Sequence, residues 1–208
     1  TAAGARARSR GRHRWGPGVR SRRRRYAAAV RVIAGSHRGR HLRAVPDAVT
    51  RPTSDRVREA VFDILGSLVD MEGWSVVDLF AGSGAMGIEA LSRGAASAVF
   101  VDDSPEALRV VRDNLDALGM ADRAQVVRLD VLRFLERPQR FDLALCDPPY
   151  AFASWAALLG RLDSPLAVLE TRDPPEVPGT WESLKTKRYG GTLVTVVRPL
   201  GPHQKGTR

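Results

Sequence analysis

Phe141-Asp142-Leu143-Ala144-Leu145-Cys146-Asp147-Pro148-Pro149-Tyr150 is the stretch on which the reading of this chain turns. Residues 141–146 form a short apolar run, interrupted only by Asp142. It is too short for a helix and suits a strand covered on both faces. It stops at a carboxylate. The two prolines that follow cannot continue a ladder and hold the backbone rigid. Asp147 is therefore presented at a fixed point beyond a strand end, with the ring of Tyr150 close by. Upstream, residues 74–80 form a second apolar run, and it opens into Asp78-Leu79-Phe80-Ala81-Gly82-Ser83-Gly84.

Working outward from these two runs, the pattern predicts strands at 98–102, 125–129 and 166–170. It predicts helices at 85–92, 104–118, 131–136 and 155–162, with Gly94 and Gly119 as stops. Two last strands, 181–189 and 192–198, flank Gly190-Gly191. Such alternation argues for an α/β fold: a mostly parallel sheet with helices on both faces, finished by a C-terminal antiparallel hairpin. N-terminal to it, Thr53 or Ser54 can cap a helix in which Asp55 suits the first turn. Val57, Ala60, Val61, Ile64, Leu65 and Leu68 form its buried face, and Arg56 and Arg58 lie off that face. Residues 26–50 read as a small extension: a strand over Tyr26–Val32, then a basic hairpin-like segment, Ser36–Leu42. Its arginines Arg38, Arg40 and Arg43 are either phosphate contacts or a solvated face. Residues 51–200 are the principal domain, and 201–208 a flexible tail.

The formal net charge is +10 and unevenly placed. Residues 1–25 hold ten arginines and no acid, so the rest of the chain carries 23 bases and 23 acids. The body is neutral and the positive charge is an appendage. This segment reads as disordered, either a solvated tail or an arm that adds sequence-blind affinity for a polyanion. The single cysteine, Cys146, excludes an internal disulfide framework and a cysteine-based zinc site, and fits a reducing cytoplasm. No apolar run is long enough to span a bilayer, and the charged N-terminus is not followed by the apolar segment of a secretory signal.

The glycine pair after the first main strand lets a ligand approach the backbone near helix N-terminal amides. The chain lacks a Walker-type Gly-Lys-Ser/Thr and a Gly-x-Gly-x-x-Gly, which counts against a nucleotidase and a dinucleotide oxidoreductase. The acids say more. Asp78, Asp102, Asp130 and Asp147 each fall at the C-terminal end of a strand, where ligands bind in open α/β sheets. Any one of them alone would be read as a loop cap. Four in register suit S-adenosylmethionine: Asp102 for the ribose hydroxyls, Asp130 for the adenine amine, Asp78 for the cationic methionine end, with Phe80, Ala81, Gly82 and Gly84 shaping the loop. Asp103, beside Asp102, should point away.

An exocyclic amine of a base is a poor nucleophile, because its lone pair is delocalised into the ring. Two acceptors aimed at its N–H groups free that lone pair. Asp147 and the Pro148 carbonyl can be those acceptors, Pro149 helps hold that carbonyl in place, and Tyr150 can stack on the base. Alignment of methyl and nitrogen supplies the rest of the rate. The base must be unpaired or flipped out. Cys146 should face opposite Asp147 and serve as a small buried hydrophobe, against a mechanism in which a thiol attacks the ring.

These motifs are similar to those of the RsmD-type family of 16S rRNA guanine-N2 methyltransferases over about residues 30–199. The resemblance rests on Arg31-Val32-Ile33-Ala34-Gly35 with Arg38-Gly39-Arg40, on Arg51-Pro52-Thr53-Ser54-Asp55-Arg56-Val57-Arg58-Glu59-Ala60-Val61-Phe62, on the Asp78–Gly84 loop, on Gly87-Ile88-Glu89-Ala90-Leu91-Ser92-Arg93-Gly94 and on Asp147-Pro148-Pro149-Tyr150. The arginine-rich helix start is the most specific of these. The resemblance implies a Rossmann-like class I fold with a seven-stranded sheet and S-adenosylmethionine as methyl donor. It implies a target guanine numbered 966 in the reference rRNA. It also implies 16S rRNA in the small ribosomal subunit, or a late assembly intermediate, as partner. Asp147 through Tyr150 would be the catalytic motif. Arg38, Arg40, Arg51, Thr53, Arg56 and Tyr150 are the candidate substrate contacts, in a cytoplasmic monomer. An N6-adenine methyltransferase acting on DNA or RNA shares the motif, and a non-catalytic RNA-binding or ribosome-assembly protein is the alternative of another class.

Overall fold

The computed structural model describes residues 30–46 and 54–201. The arginine-rich segment 1–25, Arg51, Thr53 and residues 202–208 lie outside the described residues.

Seven strands form one sheet in the order β5-β4-β3-β6-β7-β9-β8. They are β3 (Ser75–Leu79), β4 (Ser97–Asp102), β5 (Ala124–Arg128), β6 (Leu143–Cys146), β7 (Ala167–Thr171), β8 (Trp181–Tyr189) and β9 (Thr192–Pro199). The first five run parallel, and β9 pairs antiparallel with both β7 and β8. The helices are α1 (Asp55–Gly66), α2 (Ala85–Ser92), α3 (Pro105–Leu118), α4 (Val131–Phe134) and α5 (Trp155–Arg161). The side-chain period of two divides the strand residues between two cores. Val76, Phe100, Leu143, Leu145 and Val168 pack with α1, α2 and α3. Val77, Leu79, Val101, Ala144 and Cys146 pack with α4 and α5. This is the mostly parallel sheet with a C-terminal antiparallel hairpin expected from the alternation, and the seven-stranded class I architecture that the resemblance implies. No helix among the described residues is long and apolar enough to cross a membrane.

Ser54 caps α1, its hydroxyl accepting from Val57 N at 3.3 Å. The apolar stripe of α1 departs from the expected one. Arg58 lies inside, fully buried beside Phe62, while Leu68 is 43% exposed. Arg58 is tolerated there because its guanidinium donates to Asp55 Oδ1 at 2.8 Å and to the Arg31 carbonyl, and has Glu89 3.8 Å away. Helical periodicity counts charge as outward, whereas this charge is matched within the fold.

The N-terminal extension is a two-stranded antiparallel sheet, β1 (Val30–Arg31) and β2 (His41–Leu42). Between them a 3-10 turn, Gly35–His37, sits on the C-terminal end of α2. Gly35 has φ +79, and a Cβ there would fall 1.8 Å from the Ser92 carbonyl oxygen, so no side chain fits. Glu89 of α2, fully buried, accepts from Ile33 N at 2.7 Å, Ala34 N at 3.0 Å and Arg93 Nε at 2.7 Å. Farther along, Asn114 Oδ1 accepts from Arg43 N at 2.7 Å, while Nδ2 donates to the carbonyls of Arg43 and Ser83, each at 3.0 Å. The extension thus climbs α3 from its C-terminal end and is fastened to the glycine loop after β3.

Candidate active site

The parallel strands deliver their C-terminal residues to one edge of the sheet. Asp78, in β3, is 2% exposed. Its Oδ2 accepts from Gly87 N at 2.8 Å in the first turns of α2. Burial chiefly, with the charges of Asp147 and Asp102, pushes the Asp78 carboxyl well above its ordinary range, against the Gly87 N–H that pulls it down. The chain then turns through Phe80, whose φ of 63° is unusual for a residue other than glycine. Strain of this kind costs about 1–3 kcal/mol and gathers at functional sites. An aromatic chain holds it: Phe80 meets Phe152 edge-on at 5.1 Å, and Phe152 meets Trp155 at the same distance. Gly84, at φ 78°, is the left-handed N-cap of α2.

Asp102 ends β4. Its Oδ2 accepts from Gly82 N at 2.9 Å and its Oδ1 from Ser104 N at 2.9 Å. Two amides fix the carboxylate, and each oxygen keeps a lone pair. Asp78, Asp102, Asp147 and the backbone from Phe80 to Ser83 line a cavity of about 300 Å³ whose far wall is Ala44 and Val45. Pro148, Pro149 and Tyr150 close it on the side of β6. A buried acid in a cavity with no basic side chain among the described residues of its lining fits a cationic ligand. A fixed acid beside a glycine turn fits a vicinal diol. These residues fit S-adenosylmethionine, which carries both groups.

A second cavity, about 420 Å³, adjoins the Asp147–Tyr150 segment. Arg56, Glu170, Thr171 and Arg172 line it, with the turn from Tyr189 to Thr192. The Arg172 guanidinium stands 4.8 Å from the centre of the Tyr150 ring, and Tyr150 is 58% exposed. Asp147 and Tyr150 belong to both cavities. The Pro149 carbonyl is taken by Phe152 N at 2.9 Å. Cys146, 2% exposed, faces the opposite core, and burial, then the charges of Asp78 and Asp147, push its thiol far up. It is a neutral packing group.

The structure brings Asp78, Phe80, Ala81, Gly82, Asp102, Asp147, Pro148, Pro149 and Tyr150 to the first cavity, with Gly84 one residue behind it at the head of α2. Arg56 reaches the second cavity. Asp130 joins neither. It is exposed, and its Oδ1 caps α4 by accepting from Arg133 N at 3.0 Å. Asp103 is exposed and lines neither cavity. Arg38 and Arg40 are also elsewhere. Arg40 donates to the Ala117 carbonyl, at the C-terminal end of α3, whereas the cavity meets that helix at Ser104 and Ala107. Fourteen residues separate the ends, roughly 20 Å at 1.5 Å per residue. The hairpin tip therefore sits at the far end of the helix from the site. Sequence reading missed Asn114, Glu170 and Arg172. Asn114 alone left a signal, as a lone amide on the apolar face of α3.

A family model described as conserved hypothetical protein 95 matches residues 30–198. The chain is 38% identical over 186 residues to "Putative rRNA methyltransferase YlbH" of Bacillus subtilis, covering 83% of this chain and 100% of that protein. It is 34% identical over 174 residues to "Ribosomal RNA small subunit methyltransferase D" of Haemophilus influenzae, covering 77% and 89%. The solved structure of "Putative methyltransferase yhhF" from Escherichia coli superposes with a TM-score of 0.72 at 31% identity, covering 82% of this chain and 98% of the other. With its fold, its cavity and these relatives, the chain belongs to the RsmD-like family of rRNA methyltransferases and is an S-adenosylmethionine-dependent methyltransferase.

Proposed function

We propose that this enzyme methylates the exocyclic N2 of a guanine in 16S rRNA, at the position equivalent to 966, within the small ribosomal subunit or a late assembly intermediate. It acts as a cytoplasmic monomer. The observation that carries the reading is the position of Asp147-Pro148-Pro149-Tyr150, the wall shared by a cavity that fits the cofactor and a cavity rimmed by arginines. The name of the Haemophilus influenzae relative supports rRNA of the small subunit as the substrate, and that of the Bacillus subtilis relative supports rRNA.

The cofactor supplies an electrophilic methyl carbon on a sulfonium, which departs as a neutral thioether. The chain's residues do the rest. Asp147 accepts one N2–H of the flipped-out base, and the Pro148 carbonyl, which accepts no hydrogen bond among the described residues, takes the other. Both draw the nitrogen toward tetrahedral geometry. The new N–C bond leaves N2 cationic, so its proton is acidic and passes to water without a strong base. Tyr150 holds the base by stacking, and Arg56 and Arg172 meet the flanking phosphates.

Nucleoside mass spectrometry after incubation with S-adenosylmethionine and unmethylated small subunits tests this. N2-methylguanosine in a single rRNA fragment is expected. Asp147→Ala should abolish that product and leave cofactor affinity within about threefold, since the remaining cofactor contacts persist. N6-methyladenosine as the product would move the target to adenine. Turnover retained by Asp147→Ala would remove Asp147 from the chemistry.

A further inference from the structure

Glu170 is one of few acids the fold buries, and no step above uses it. It is 4% exposed, in a strand end that opens on the second cavity. The parallel register of β6 and β7 pairs Cys146 with Leu169. The next residues along the two chains are Asp147 and Glu170, on strands about 4.8 Å apart. Asp147 and Glu170 both line the second cavity, and Tyr150 and Arg172 line it with them. Thr171, whose buried hydroxyl has no hydrogen-bond partner among the described residues, lines the same wall. Arginine–aromatic pairs such as Arg172 over Tyr150 are surfaces on which splayed bases stack.

We propose that Glu170 selects guanine over adenine by accepting the N1–H of the target base while Asp147 accepts from its exocyclic amine. This rests on the guanine-N2 reading above. The Watson–Crick edge of guanine presents two adjacent donors, N1–H and N2–H. Two neighbouring carboxylates, which when ionised only accept, match that edge. Adenine with its amine at Asp147 would turn the N1 lone pair toward Glu170. That contact sets a lone pair against a carboxylate and is repulsive. The Asp-Pro-Pro-Tyr motif serves either base. The residue beside it on the next strand makes the choice.

The discriminating probe is 2-aminopurine, which keeps the exocyclic N2 amine of guanine and has a lone pair in place of N1–H. Small subunits are reconstituted with guanine or 2-aminopurine at the position where the wild-type enzyme is first shown to make N2-methylguanosine. Wild type should prefer guanine by on the order of tenfold to a hundredfold in kcat/KM, the value of one charge-assisted hydrogen bond. In Glu170→Gln the amide can rotate to donate to the lone pair. The variant should lose guanine turnover by a similar factor and keep or gain 2-aminopurine turnover, so that the preference collapses. Cofactor affinity should be unchanged, because Glu170 is not in the cofactor cavity. Wild-type turnover of the two bases within threefold would overturn the proposal without need of any variant. So would an unchanged preference in a Glu170→Gln enzyme that still binds cofactor. A wild-type product other than N2-methylguanosine would instead overturn the guanine reading on which the proposal stands.

Discussion

Replacing Glu89 by alanine tests how the N-terminal extension is held to the domain. The carboxylate is fully buried and receives two backbone amides of the extension, Ile33 and Ala34, together with the Arg93 side chain. It also faces Arg58, which is itself fully buried. Truncation leaves the Arg58 charge, among the described residues, with Asp55 and the Arg31 carbonyl to answer it. Breaking a buried ion pair from one side costs about 3–5 kcal/mol. The two amides add little if water reaches them, since Ile33 and Ala34 are only half-buried. For a domain of this size the loss corresponds to a fall in Tm of about 6–20 °C. Urea unfolding at neutral pH reads the free energy, and amide exchange locates it, with residues 30–42 losing protection first. Adding Arg58→Met to Glu89→Ala removes the stranded charge and should recover about 2 kcal/mol in a double-mutant cycle. A loss below about 1 kcal/mol, with protection at Ile33 and Ala34 intact, would refute the reasoning.

The remaining predictions concern the cofactor cavity. The folded state raises the Asp78 carboxyl above its ordinary value of 3.8, so between that value and the raised one the native protein holds a proton that the unfolded chain has released, and stability falls as pH rises. Asp78→Asn keeps an acceptor for Gly87 N and removes the charge; its advantage over the wild type in urea titrations without cofactor should widen as pH rises through that window, while cofactor affinity drops at least about tenfold. A variant whose stability profile runs parallel to the wild type would contradict the assignment. Gly87→Ala would bring a Cβ to 2.4 Å from Phe100 Cε1 and 3.1 Å from Asp78 Oδ2, and overpacking of this kind costs about 1–3 kcal/mol. Calorimetry should show Tm lowered by several degrees despite the better helix propensity of alanine, with cofactor affinity lowered as well because Asp78 is displaced.

How much of this was legible in the chain depended on whether the governing interaction was local. The runs Ser75–Leu79 and Leu143–Cys146, the glycine stop at Gly119 and the proline pair after Asp147 are local signals, and the elements fall within a residue or two of their expected bounds. The row of acids at strand ends was legible for the same reason, since a strand end can be located without knowing its neighbours. Asp130 shows the limit of that rule. Its strand lies at the edge of the sheet, and its carboxylate is drawn onto the next helix as a cap. Arg58 read as lying off the buried face because periodicity cannot see a partner, Glu89, 31 residues away. The neighbour of Arg40, the end of α3, was not legible for the same reason, being 77 residues distant in sequence. Glu170 drew no notice because its significance depends on the register of β7 against β6.

That register also explains why both cavities meet at Asp147. From β3 the sheet grows outward through β4 to β5 on one side and through β6 to β7 on the other. The crossovers change direction between β3 and β6, and at such a switch point the loops leaving the two central strands part and open a crevice. Asp78 and Asp147 end the strands on either side of it. The acids then divide by position: Asp102, one strand outward from Asp78, faces only the first cavity, and Glu170, one strand outward from Asp147, faces only the second. A methyl donor held by the former pair and a base held by the latter pair must meet over β6. Displacement demands an in-line approach, so the donor and acceptor need to come from opposite sides of the reacting centre. A rigid Pro-Pro segment beside the reacting centre meets that demand, because it holds Asp147 and the Pro148 carbonyl, and with them the base, at one position relative to the methyl group.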